Sequence, residues 1–169
     1  MSLTSQVGLT VSAAQITALD LGEAKATLAK AYSASLASGV AAGQADRIFH
    51  DQRTIAPSSN DDLDLAGVLL DALGGTITLA RVKALIVVAA AGNTNDVVVG
   101  GAATPFVSLF GDPTDKVKVR PGATLALFAG AADATGYVTA AGASDLLRVA
   151  NGGAGTSVTY DVVIIGASA

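Results

Sequence analysis

From Asp46 onward the apolar residues of this chain come in short runs, many alternating with polar positions, and clusters of turn-forming residues cut the runs apart. ADRIFHDQRTI, DDLDLAG, TITLARVKALIVVAA, DVVVGG, FVSLF, KVKVR, ATLALFA, GYVTA, DLLRVA and SVTYDVVII are separated by SSN, GNTN, GDPTD, RPG and NGGAGT. Alternation with a period of two places successive side chains on opposite faces of a strand, and many short strands so punctuated predict an antiparallel sandwich or barrel. In Thr76 to Ala90 the alternation Ile77, Leu79, Arg81 gives way to a continuous LIVVAA, which predicts a strand that leaves the rim and enters a middle buried on both faces. The pattern permits a jelly roll. GVLLDALGG is expected to form one helical turn, ending at Gly74 and Gly75. NGGAGT is expected to be a hairpin connection.

The closing segment repeats the change of character. Val158, Tyr160, Val162 and Ile164 share one face of a strand, and Thr159, Asp161, Val163 and Ile165 share the other. The strand is therefore half polar where it begins and apolar on both faces where it ends. Its second half is expected in the middle of a sheet, covered on one side by an opposing sheet and on the other by the N-terminal segment or a neighbouring subunit.

The first 45 or so residues read differently, being rich in Ala, Ser, Thr and Gly. In TLAKAYSASLA, Thr27 to Ala37, the residues Leu28, Tyr32 and Leu36 share a face in a helix and in a strand alike. The Ser and Thr content, with Gly39 and Gly43 close behind, favours a strand, and the alanines keep a helix open. Residues 1–26 are expected to be an extended arm that gains order on assembly, and residues 27–169 a single β-sandwich domain.

Composition narrows the function. Fourteen acidic against ten scattered basic residues leave a net charge of −4, which argues against sequence-independent nucleic-acid binding, where a cationic face must displace phosphate counterions. The chain has no cysteine, hence no disulfide, thiol nucleophile or thiolate-bound zinc. Hydrophobic residues make up 51% of the chain, yet no run has the length and continuity needed to span a bilayer, so no membrane partner is expected. MSLTSQVGLTVSAAQ has neither the basic start nor the continuous apolar stretch of a signal peptide. Apolar content this high in a chain without a span is expected to be buried partly between subunits, making a homo-oligomer.

Four stretches invite a chemical reading. RIFHDQRT, Arg47 to Thr54, sets the sole histidine, His50, beside Asp51 with Arg47 and Arg53 on either side. On a strand, however, Arg47, Phe49, Asp51 and Arg53 face one way and Ile48, His50, Gln52 and Thr54 the other, so His50 and Asp51 diverge. No GxSxG elbow offers a nucleophile, and ion pairing of Asp51 with Arg47 or Arg53 is the plainer role. NDDLDL, Asn60 to Leu65, lacks the spacing of a calcium loop and reads as a turn entering a strand. NGGAGTS, Asn151 to Ser157, lacks the Lys and the helix of a phosphate loop, and Gly100 and Gly101 in VVVGGAA likewise end a strand. Lys116, Lys118 and Arg120 line one face of KVKVRPG, as a protective solvated strand face or a small anion-facing stripe, a motif that Arg81 and Lys83 repeat. No catalytic, cofactor-binding or metal-binding residue is assigned, and no enzyme activity is expected.

The ordered series DRIFHDQRT, VKALIV, NTN, the small-residue VGG strand, a PG before a strand, DLLRV and the closing TYDVVIIG resembles small virion structural proteins of tailed bacteriophages, over about residues 27 to 169. The resemblance implies a β-sandwich subunit located in the virion. It would oligomerise or coat a particle, with the major capsid protein or other virion proteins as partners and no cofactor or reaction. A capsid decoration protein reinforcing the head is the first expectation; a tail- or fibre-associated component is the alternative. A carbohydrate-binding sandwich module is less favoured, because three tyrosines and no tryptophan give few platforms for sugar rings.

Overall fold

Residues 2–67 and 69–169 are described by a computed structural model. Its strands are β1 (Ser5–Leu19), β2 (Gly22–Ser38), β3 (Gln44–Ala45), β4 (Arg47–Ile55), β5 (Asn60–Asp64), β6 (Leu69–Leu70), β7 (Thr76–Ile77), β8 (Arg81–Ala89), β9 (Val97–Gly100), β10 (Lys116–Val119), β11 (Thr124–Phe128), β12 (Tyr137–Val138), β13 (Leu146–Asn151) and β14 (Val158–Ala167). The protein is all-β. Among the described residues the only helical element is a three-residue 3-10 turn, Val107–Leu109.

Two antiparallel sheets form the body. One has the order β10-β9-β13-β5, and the other the order β11-β8-β14-β4, with β12 pairing the start of β8. Alternation decides which side chains they share. Phe49, Ile55, Leu85, Val87, Val158, Tyr160, Val162 and Ile164 from the second sheet, and Leu63, Val97, Val99, Val119, Leu147 and Val149 from the first, form one buried cluster. Branched aliphatic side chains fill it, as the scarcity of aromatics requires.

Four of the predicted turns lead from one sheet to the other. SSN leads from β4 to β5, GNTN from β8 to β9, RPG from β10 to β11 and NGGAGT from β13 to β14. NGGAGT is therefore a crossing between sheets and not the hairpin connection expected. Turn residues mark where a strand stops; which sheet the next strand joins depends on where its apolar face finds cover. Asparagines secure these crossings. Asn93 holds Thr159 by both backbone groups, at 2.8 Å each, and Asn151 Nδ2 donates to the carbonyls of Ala56 and Thr156 at 3.2 and 2.7 Å.

GVLLDALGG is also corrected. Among its described residues no helical turn forms: Leu69 and Leu70 pair with Ile77 and Thr76, and the loop between is closed by Asp71, whose carboxylate accepts the amides of Leu73 and Gly75 at 2.8 Å each. An aspartate that captures nearby amides competes with helix, and the two-strand ladder buries both Leu69 and Ile77.

The N-terminal segment is a long hairpin. β1 and β2 pair from Ser5↔Leu36 to Leu19↔Gly22 around a turn at Asp20 and Leu21, which resolves Thr27 to Ala37 as strand. The expected boundary at residues 26/27 falls inside β2. Only the base of the hairpin meets the body: Val7 and Leu36 are buried with Ala45, Ala84 and Ile165. Along both strands from Gly8 to Ser33 every residue is exposed.

β14 lies between β4 and β8 and is covered on both sides, by the shared core beneath Ile164 and by the hairpin base above Ile165. Ile164→Ala is expected to lower stability by about 2 to 5 kcal/mol, read as a fall in melting temperature. Ile165→Ala should cost less globally and speed hydrogen exchange at Val7 and Leu36 ahead of exchange at Val87.

Candidate functional site

β4 and β5 are the last strands of their sheets, and RIFHDQRT with NDDLDL brings charged side chains to these two edges. Phe49 and Ile55 point into the core, which turns Asp51 and Arg53 to the same side at the margin. There Arg53 bridges the sheets. Its Nη1 donates to both carboxylate oxygens of Asp61 at 3.1 and 2.9 Å, its Nε donates to Asp51 at 3.0 Å, and its guanidinium lies 5.6 Å from the centre of the Phe49 ring. Tyr160, fully buried, donates its hydroxyl to Asp61 Oδ2 at 2.8 Å. Burial, reinforced by the Asp61 charge, pushes the Tyr160 hydroxyl far above its ordinary range, so it remains a protonated donor.

Asp51, Arg53 and Asp61 line a shallow depression of about 420 Å³. Each is satisfied by another, so the cluster is a cross-link between two sheet edges, with Arg53 the fork that planar carboxylates fit. His50 faces away, on the side of β4 that pairs beside Val163. Sequence alternation separated His50 from Asp51 correctly; it carried no sign of Asp61 or Tyr160, which reach Arg53 only through the meeting of the sheets.

The neighbouring acids are similarly engaged. Asp62 and Arg148 stand opposite each other on β5 and β13 and form a two-pronged pair, 2.6 Å at each contact. The Arg148 hydrogen bonds hold the Asp62 carboxyl below its usual range, against the opposing effect of burial. Asp64 accepts the amide of Ala66 at 3.0 Å. Among the described residues no group of three or more His, Cys, Asp or Glu converges as a metal site would.

The glycine-rich loops turn their amides inward. Gly152 N–H donates to the Asp96 carbonyl and Gly153 N–H to Asn151 Oδ1. At Gly100 a Cβ would stand 2.4 Å from the Asp115 carbonyl, so glycine permits β9 and β10 to approach.

The basic residues divide into two groups. Lys116, Lys118 and Arg120 are exposed at β10, an edge strand paired on one side by β9, while Val119 enters the core. Arg81 and Lys83 do not repeat this stripe. The ladder between β8 and β14 steps from Ala84 to Val82, leaving Lys83 in a bulge. Lys83 is 1% exposed, and its ammonium donates to the carbonyls of Asp133 and Ala134 at 2.8 and 3.0 Å, while Arg81 also reaches Ala134. Burial pushes the Lys83 amine down, opposed by the Asp133 charge. Gly136 admits this clamp, since with φ of +63° its Cβ would lie 2.7 Å from the Val82 carbonyl.

The other candidate surface is the hairpin. Directly paired residues share a face, so Leu9 and Tyr32, Val11 and Lys30, Ala13 and Leu28, and Leu19 beyond them line the face to which buried Val7, Ala34 and Leu36 belong. The opposite face carries Thr10, Ser12, Thr27, Ser33 and Ser35 with Glu23 and Lys25, and one large apolar residue, exposed Ile16. A two-stranded ribbon with one apolar face has little stability in water unless that face is covered.

No family model, curated protein or solved structure matches this chain.

Two outcomes follow from the polar contacts. Tyr160→Phe removes a buried donor to a carboxylate and should cost about 1.5 to 3 kcal/mol, measured by urea unfolding. Because the folded pKa of Asp62 is depressed, its contribution is full above the ordinary carboxylate range and is lost as pH falls through the folded value. Arg148→Met should therefore lower the unfolding free energy measured in urea at neutral pH by up to about 1 kcal/mol, for a pair this exposed. The gap from the parent chain should close in acid.

Proposed function

We propose that this chain is a structural protein of a tailed-bacteriophage virion, a capsid decoration subunit that binds and stabilises the head shell. In this reading the body is a jelly-roll-like β-sandwich, the N-terminal hairpin is its arm, and no reaction is carried out. One observation carries it: an ordered ribbon that extends its apolar face past the body, from Leu9 to Leu19 on one strand and back through Leu28 and Tyr32 on the other. A folded chain presents such a face where assembly covers it.

Three further features support it. The sheets share a single core and the chain repeatedly crosses between them, as in a sandwich of two sheets. The charged groups at RIFHDQRT and NDDLDL are engaged with one another. The ordered sequence blocks resemble those of small virion proteins.

Purified chain mixed with undecorated heads of the phage that encodes it should co-sediment with the heads and raise the temperature at which they rupture. Sedimentation with tails and not heads would replace decoration by the tail-associated role. Binding to neither particle would overturn the virion reading.

A further inference from the structure

We infer that the apolar face of the β1–β2 ribbon is covered by a second copy of this chain, docking on the outer face of that copy's β11-β8-β14-β4 sheet in a reciprocal two-fold exchange. This inference goes beyond the virion reading and stands without it, because it concerns the chain in solution with no shell present.

The molecule itself displays the type of surface the ribbon takes. The outer face of the sheet is laid out in rows across its strands. The first row, Ile48, Ile165, Ala84 and Phe128, already lies against Val7 and Leu36 at the ribbon base. The second, His50, Val163, Ile86 and Ala126, is apolar apart from its end and only partly covered: Val163 and Ile86 pack against that cluster yet stay half-buried, and Ala126 and His50 are exposed. The third is Gln52, Asp161, Val88 and Thr124. On the ribbon, the apolar face that begins with buried Val7 and Ala34 continues with Leu9, Leu28 and Tyr32 at 51%, 48% and 56% exposure. One chain thus carries an uncovered apolar face and a partly covered apolar row, each continuous with a contact in which the same two surfaces already meet.

Charge sets the register. Lys30, opposite Val11, is the sole charged residue on the apolar ribbon face, and Asp161, opposite Val88, is the sole acidic one on these outer rows of the sheet. With Lys30 against Asp161, Val11 falls beside either Val88 or Gln52, and as an apolar side chain it takes Val88. Area then selects the symmetry. From Gly8 to Leu19 the ribbon is on the order of 40 Å long and about 10 Å wide, so covering one face removes roughly 800 Å² in total. That falls below the roughly 1,000 Å² of a stable specific interface, whereas two ribbons exchanged about a two-fold axis remove roughly 1,600 Å². Each copy then gives one ribbon and receives one.

The full chain should sediment as a dimer at equilibrium. Leu9→Asp with Leu28→Asp, at positions exposed in the subunit, should leave the circular dichroism spectrum intact and raise the dimer dissociation constant on the order of a hundredfold. Since the chain has no cysteine, a Val11→Cys chain mixed with a Val88→Cys chain reads the contact directly, and a mixed disulfide-linked dimer is expected on oxidation. A monomer at every concentration, a trimer or larger ring, or a dimer unaffected by the double substitution would overturn the exchange. So would Val11→Cys chains linking to each other without mixed product, which would mean ribbon packed on ribbon.

Discussion

The burial of β14, on its inner face throughout and on both faces from Ile164 to Ala167, is the constraint on which the rest of the structure depends. Val158, Tyr160, Val162 and Ile164 enter the core shared by the two sheets, and Ile165 lies beneath the base of the hairpin. Burying a side chain of this size contributes about 1.5 to 3 kcal/mol, so one strand carries a large part of the apolar stabilisation. Its neighbours are placed by it. β4 and β8 pair along its two edges, and Gly166 lets the β8 chain step out of register, since a Cβ there would stand 2.4 Å from the Arg81 carbonyl. The step puts Lys83 where its ammonium can hold the Asp133–Ala134 loop.

Polar groups follow from the same placement. Tyr160 brings a buried hydroxyl to the seam where β4 and β5 meet, and the Asp61 carboxylate that satisfies it is held in turn by Arg53. Asn93 caps the backbone of Thr159, and Asp46 accepts both the amide and the hydroxyl of Ser168 at the end of the strand. A strand buried along its whole inner face tolerates few unpaired polar groups, and these side chains pair those at its ends.

Much of this could be read along the chain. The split of Val158–Ile165 into two faces, the separation of His50 from Asp51, and the strands at KVKVR and DLLRV follow from a period of two, a local property of the backbone, and the strand at LIVV from a continuous apolar run. GVLLDALGG misled because leucine spacing suits a helical turn, while Asp71 captures the amides that a helix would use. Lys83 misled because its spacing from Arg81 places both on one strand face only if the strand is regular, and the bulge removes that regularity. Arg53 was visible as a partner for Asp51; its stronger engagement with Asp61 required the second sheet.

By itself, then, the sequence determined that the chain is all-β, roughly where most strands from Asp46 onward lie, and which side chains of a regular strand share a face, because pleat alternation and turn chemistry act over a few residues. It did not show that Thr76 to Ala90 divides into β7 and β8 or that FVSLF holds a 3-10 turn. Tertiary structure decided which sheet each strand joins, that NGGAGT crosses between sheets, and that Asp61 and Tyr160 converge on Arg53. It also decided that the first residues form a ribbon anchored only at its base. These outcomes depend on contacts between segments far apart in the chain, and a strand's alternation records that one face must be covered without recording what covers it.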